Sequence, residues 1–238
     1  MYKMDFPTIC HDGFFKDPDK IREWALTLDY DHHIGTYPGV RSKPIKDLSK
    51  NFFESTVSKL LSLWGNYTRK DWSCQLQFQK ISRFSADPLI NRGWIHQDGE
   101  AYCAAVIYLD PNASLDNGTS IYRMKDGAYD NALDWQKKDC DPKLMQFHRD
   151  VLGPEQKRDE KSLEIFGKNL KINDSMFEPT LEIKNVYNRV IGYDARQWHS
   201  QSNFHMDSDD EFRLTIVAFV TSISEPATKR FDSKSRYI

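Results

Sequence analysis

Apolar positions change rhythm near Ser73, from a helical spacing before it to a two-residue alternation after it. Behind Asp17-Pro18-Asp19, the residues Ile21, Trp24, Ala25 and Leu28 share one face, which predicts a helix. Asp17 suits its N-cap and Pro18 its first turn, where a missing N–H costs nothing. Leu48, Phe52, Phe53, Val57, Leu60, Leu61 and Trp64 form a second stripe and predict a helix from about Leu48 to Trp64, stopped at Gly65. The Gly- and Pro-containing stretch between them, Asp31 to Lys46, reads as a loop and includes Tyr37-Pro38-Gly39-Val40-Arg41-Ser42.

Beyond Ser73, Cys74, Leu76 and Phe78 alternate with Gln75, Gln77 and Gln79, as in a half-buried strand, and Ile81 to Phe84 continue it past a register irregularity. The apolar run Cys103 to Leu109 predicts a central strand, and Asp116-Asn117-Gly118 a turn into Thr119–Arg123. Residues from about Met124 to Pro179 lose the β rhythm. Their mixed charges and helical stretches near Ala128–Lys138 and Pro154–Phe166 read as an insertion with too few apolar residues for its own core. Strands resume at Leu181–Ile183, Asn188–Tyr193 and Phe212–Val220. Helices followed by many short strands predict a mainly β fold with flanking helices, a β-sandwich or jelly roll buttressed at its N-terminus. The expected plan is a single domain over 1–238, with buttress and loop in 1–72, β core in 73–123 and 181–222, insertion and possible lid in 124–180, and a tail in 223–238.

Composition narrows the function. The 238 residues carry 33 Lys plus Arg against 35 Asp plus Glu, without the basic excess of a nucleic-acid binder. No apolar run approaches the roughly 20 residues of a membrane span, and the N-terminus lacks the apolar region of a signal peptide. Cys10, Cys74, Cys103 and Cys140 are scattered, as expected of reduced thiols in a cytoplasmic protein, so the sequons at Asn66, Asn112 and Asn117 read as chance matches.

Candidate chemistry concentrates in Trp94-Ile95-His96-Gln97-Asp98-Gly99 and in Gln197-Trp198-His199-Ser200. Residues i and i+2 of an extended strand face the same way, so His96 and Asp98 can grip one ion, with His199 brought in from another strand. Two imidazoles and a carboxylate suit a divalent iron with open coordination positions. Arg213 enters an apolar strand, where a buried guanidinium needs a partner; a carboxylate matches its planar fork. His11, His32, His33, His148 and His205 lack a comparable setting and read as non-ligands.

With these residues in view, the chain resembles the iron(II)- and 2-oxoglutarate-dependent oxygenases, most closely their prolyl-hydroxylase branch. His96-Gln97-Asp98 matches the family's His-x-Asp and Ile107-Tyr108-Leu109-Asp110 its Tyr-Leu-Asn segment. Asn117-Gly118-Thr119 matches the Gly-Gly-x turn, His199 the distal histidine, and Arg213-Leu214-Thr215-Ile216-Val217 the strand with the cosubstrate-anchoring base. The resemblance spans about Ser73 to Ser222 and departs in two places: a long gap between Asp98 and His199, and Asn117 in place of a glycine. Tyr37 to Ser42 also resembles a segment of uncharacterised bacterial and phage members.

The resemblance implies a double-stranded β-helix (jelly-roll, cupin-like) core with N-terminal helices packed on it. It implies Fe(II) on His96, Asp98 and His199, 2-oxoglutarate anchored by Arg213 and Tyr108 with Thr215 and Thr119 assisting, and O2 as co-reactant. Asp98 speaks against a halogenase, in which the carboxylate is lost. The implied reaction is hydroxylation of an unactivated C–H bond of a peptide, amino acid or small metabolite, with decarboxylation of 2-oxoglutarate to succinate. Tyr37 and Arg41, in a loop whose composition fits a flap, and Trp94, Trp198 and Tyr122 are candidate substrate contacts. A zinc hydrolase using the same ligands and a non-catalytic cupin-like binding module remain as alternatives.

Overall fold

The computed structural model of the protein describes residues 6–30, 37–65, 72–125, 151–152, 158–204, 206–208 and 211–223. In chain order these form β1 (Ile9–His11), α1 (Pro18–Leu26), β2 (Val40–Arg41), α2 (Ile45–Leu48), α3 (Lys50–Ser62), β3 (Trp72–Ile81), β4 (Cys103–Tyr108), β5 (Thr119–Met124), α4 (Glu160–Ser175), β6 (Phe177–Ile183), β7 (Val190–Asp194), β8 (Trp198–Gln201) and β9 (Arg213–Ile223). All strand pairings are antiparallel. The larger sheet runs β1-β7-β4-β9-β3-β2 and the smaller β6-β5-β8. An isolated bridge between His96 and His199 adds the chain around His96 to the β8 edge. From β4 onward the chain therefore passes back and forth between the two sheets, and residues far apart in sequence meet in the space they enclose.

The period-two geometry of β9 shows how the two faces of the larger sheet differ. Leu214, Ile216, Ala218 and Val220 join Leu76, Phe78, Phe53, Val57, Leu60, Leu61 and Trp64 in the main apolar core, which α1–α3 cover. The opposite face carries Arg213, Thr215 and Val217; Val217 packs with Ala104, Val106, Tyr108, Ile121, Ile191 and Tyr193 between the sheets.

Helix starts follow their caps. The Asp17 side chain accepts from the Lys20 backbone N–H at the start of α1. The stripe expected as one helix from Leu48 to Trp64 is divided, because Ser49 is extended (φ −155°, ψ 100°) and its Oγ caps α3 by accepting from Phe52 N at 3.4 Å. Its hydroxyl offers the backbone a bond that a helical conformation would not. The register irregularity of β3 lies at Ser73/Cys74 and not beyond Gln79. In the segment expected to be an insertion, α4 runs on to Ser175 and β6 begins at Phe177. Far from standing apart, α4 packs Phe166 and Leu170 against Ile81, Phe84, Ile90 and Phe204. The helical stretch expected near Ala128–Lys138, together with His32, His33, His148, His205, Asn66 and Cys140, lies outside the described residues. Asn117 is fully buried. Cys10, Cys74 and Cys103 are free thiols, and no described helix is long and apolar enough to cross a membrane.

Candidate metal centre and its cavity

Antiparallel pairing sets the first two donors opposite each other. His96 N donates to His199 O and His199 N to His96 O, each at 3.0 Å, so both side chains project from one face of the smaller sheet. Their ring centroids are 4.4 Å apart. Asp98 stands two residues past His96, where its backbone N–H donates to Ala195 O at 2.8 Å in the turn between β7 and β8. That turn is braced by buried Asp194, whose carboxylate accepts from Arg196 N, Nε and Nη2. Ligand atoms of His96, Asp98 and His199 all lie within 4.8 Å of one another.

The hydrogen bonds of the imidazoles decide what these atoms can hold. His96 Nδ1 is 2.7 Å from Trp94 O and His199 Nδ1 is 2.9 Å from Gln197 O. A carbonyl only accepts, so each Nδ1 carries a hydrogen and each Nε2 is directed toward Asp98 and free to ligate when the ring is neutral. His199 Nε2 approaches Asp98 Oδ2 at 3.2 Å and His96 Nε2 approaches Oδ1 at 3.6 Å. Asp98 Oδ2 is nevertheless buried without a well-formed hydrogen bond. With both rings neutral, lone pairs face the carboxylate across a gap that a proton or a metal ion fills favourably. Burial pushes the Asp98 carboxyl upward, yet the His199 and His96 imidazoles outweigh it and hold the group well below the usual carboxylate range. Burial likewise opposes protonation of His96, and the Asp98 carboxylate reverses that effect and raises it.

A cavity of about 750 Å³ opens from these residues. Thr119 lines it; Tyr108, Arg213 and Thr215 do not, and they lie behind Thr119. Tyr108 stands opposite Thr215 in the β4–β9 ladder, and its hydroxyl donates to Thr119 Oγ1 at 2.8 Å. Arg213 is 1 % exposed, with its guanidinium carbon 5.3 Å from the Tyr108 ring centre. Its Nε donates to Asn117 O at 2.7 Å, while Nη2 is buried without a partner, as is Thr215 Oγ1 two residues on. No carboxylate pairs with Arg213 among the described residues, and burial lowers its pKa. The Asn117-Gly118 turn that receives Arg213 needs its glycine, because a Cβ on Gly118 would meet Ile183 O at 1.8 Å.

Tyr37, Arg41 and Trp94 also line the cavity. The Tyr37–Ser42 segment is no free flap. Val40 and Arg41 pair with Lys80 and Gln79, Ser42 N donates to Phe78 O at 3.0 Å, and Gln79 Nε2 donates to Pro38 O at 2.7 Å. Gly39 (φ +77°) lies so close to β3 that a Cβ would fall 2.0 Å from Lys80 O. Tyr122 and Trp198 are corrected: neither lines the cavity. Ile121 takes the inward position of β5, so Tyr122 turns to the outer side, where it packs with Ile95, Phe177 and Trp198.

Several residues escape a reading of the sequence. Tyr193 packs on His199, ring centres 4.5 Å apart, and Gln75, Gln79 and Phe219 line the cavity. The glutamines were legible as a polar face; Gln75 is exposed at the cavity and Gln79 is buried, 1 % exposed. Leu152, within the expected insertion, also reaches the cavity wall. Asn173 of α4 brackets Ile95, accepting from its N–H at 2.8 Å and donating to its carbonyl at 3.2 Å, and so fixes the backbone between Trp94 and His96.

The chain is similar over 92 % of its length to HygX from Streptomyces hygroscopicus, solved with nickel and 2-oxoglutarate bound (TM-score 0.56, 11 % identity, 84 % of HygX covered). It is also similar to the epimerase SnoN, solved with Fe3+, alpha ketoglutarate and nogalamycin RO (TM-score 0.50, 9 % identity, 92 % of this chain and 80 % of SnoN). A Pseudomonas putida prolyl-4-hydroxylase aligns at TM-score 0.46 and 10 % identity, over 91 % of this chain and 93 % of that one. No curated protein matches the chain. At these identities the likeness establishes that the chain shares the fold of HygX and SnoN. By sequence, residues 3–220 match the family of unknown function DUF6445, and the chain belongs to that family.

Proposed function

We propose that the protein is a non-haem Fe(II)/2-oxoglutarate-dependent dioxygenase that hydroxylates a C–H bond of its substrate. One observation carries the reading. Two Nε2 atoms, each with a carbonyl on the Nδ1 side of its ring, converge on the Asp98 carboxylate within 4.8 Å, and Arg213 is buried in the same fold with Nη2 unsatisfied and no carboxylate partner among the described residues. The strand order supports a double-stranded β-helix: β3, β9, β4 and β7 form one wall, and the His96 stretch, β8, β5 and β6 the other.

His96, Asp98 and His199 are the residues that would hold the iron, and two nitrogens with one oxygen leave positions free for other ligands. Fe(II) with 2-oxoglutarate supplies reduction of O2 coupled to decarboxylation to succinate and to oxidation of a substrate C–H bond. The chain's own residues bind and orient. Arg213 Nη2 and Thr215 Oγ1 are two orphaned polar atoms beneath Thr119, suited to the far carboxylate of 2-oxoglutarate, with the Tyr108 hydroxyl beside them. Trp94 O and Gln197 O hold the protons on Nδ1 and so keep both Nε2 atoms available. The apolar wall of Val106, Tyr193, Val217 and Phe219 limits water around the centre. A zinc hydrolase using the same ligands would leave Arg213 and Thr215 without a function.

Purified protein given Fe(II), 2-oxoglutarate and O2 is expected to form succinate even without its organic substrate. His199→Ala is expected to abolish that formation, and Arg213→Gln to raise the 2-oxoglutarate concentration it requires. Succinate formation that persists in His199→Ala would refute the assignment.

A further inference from the structure

The cavity is lined by a guanidinium other than that of Arg213, which lies behind its wall. Arg41 projects from β2, which the Ser42, Gln79 and Gly39 contacts fix against β3. Its guanidinium carbon sits 3.7 Å from the Tyr37 ring centre and 5.3 Å from that of Phe219. Aromatic rings hold the plane of the group and leave its edge as the binding surface. Nε on that edge is buried without a hydrogen-bond partner, and no acid of the described residues forms an ion pair with Arg41. Two acids line the cavity: Asp98 belongs to the metal triad and Glu100 is exposed. The other polar walls are neutral, chiefly Gln75, Gln79, Ser200 and Gln201.

A desolvated, unpaired guanidinium is costly unless an anion completes it. Fe(II) would be met by Asp98 and 2-oxoglutarate, and Arg213 by the far end of 2-oxoglutarate, which leaves Arg41 for a different molecule. We propose that Arg41 recognises a carboxylate on the organic substrate, so that the compound oxidised is a small free acid and not an internal stretch of peptide. The chemistry done on that acid rests on the oxygenase reading above. A carboxylate matches the single positive charge and the planar fork; a phosphate dianion would bring surplus negative charge near Asp98 and Glu100. About 750 Å³ accommodates a metabolite of drug size. The glutamine amides would take its hydrogen-bonding groups, and Trp94 and Tyr37 its apolar part.

Hippurate is a suitable probe, with a carboxylate for Arg41, an amide for the glutamines and a ring for the aromatic wall. Calorimetric titration into anaerobic protein loaded with Fe(II) and 2-oxoglutarate is expected to show saturable binding. Binding should weaken about tenfold or more for hippurate methyl ester on the wild-type protein, and similarly for hippurate on Arg41→Gln, with Arg41→Lys between. The ester comparison needs no variant, so a folding defect cannot decide the outcome. Ester binding as tight as the acid, unchanged binding by Arg41→Gln, or no saturable hippurate binding overturns the proposal. Tighter binding of phenyl phosphate than of hippurate also overturns it, by reassigning the oxyanion. Failure of the oxygenase reading shows separately, as an absence of iron-dependent 2-oxoglutarate uptake by the wild-type protein.

Discussion

The two faces of the larger sheet are made by the same strands and obey opposite rules. Outward, Leu76, Phe78, Leu214 and Ile216 pack under α1–α3 in an apolar core. Inward, the alternate positions Gln79, Arg213 and Thr215 are as deeply placed but polar, and two of them carry orphaned atoms. Burial on the outer face supplies stability, at roughly 25 cal/mol per Å² of apolar surface. Burial on the inner face withdraws hydrogen-bonding groups from water without completing them, an arrangement that a ligand can resolve.

Substitutions can break this contrast at graded strength. Asp98→Ala should have the largest effect, with iron-dependent succinate formation reduced to the metal-free background while thermal unfolding stays cooperative. Phe78→Ala, which removes an outward ring in edge contact with Trp24 (centroids 5.3 Å apart), should cost about 3–5 kcal/mol in denaturant unfolding and leave iron stoichiometry at one per chain. Asn173→Ala crosses the two categories. It strands the buried N–H and carbonyl of Ile95, so about 1–3 kcal/mol of stability should be lost. Because Ile95 lies between Trp94 and His96, iron affinity should also fall, by about tenfold in a competitive metal titration. Thr215→Val should be the mildest. Stability should hold within about 1 kcal/mol, since the lost hydroxyl has no partner, and 2-oxoglutarate binding measured by calorimetry should weaken about fivefold.

Much of this arrangement was legible in the sequence. The spacing of His96 and Asp98 and the tryptophan-flanked His199 pointed to groups whose ligand atoms lie within 4.8 Å of one another, and the arginine heading an apolar strand to a buried guanidinium. What escaped did so for physical reasons. Alternation in β3 was visible, but a polar face turned to a cavity reads the same as one turned to water, so the buried place of Gln79 was not readable from the pattern. Ser49 interrupts a continuous apolar stripe because a cap depends on backbone torsion, which the stripe does not encode. Asn173 is one polar residue in a charged helix, and only the docking of α4 shows that it faces Ile95. Tyr122 stands beside Ile121, which takes the inward position, and a register shift between the two leaves Tyr122 packed on the outer side, which the residue types alone do not encode.

The central claim is that His96, Asp98 and His199 bind iron in the same chamber in which Arg213 awaits a carboxylate. Anaerobic titration of the purified protein with Fe(II) and 2-oxoglutarate, followed in the visible range, tests it most directly. A weak charge-transfer band that requires both additions, and is lost in His199→Ala, is the predicted result. No band with both present, or the same band in His199→Ala, would contradict the account.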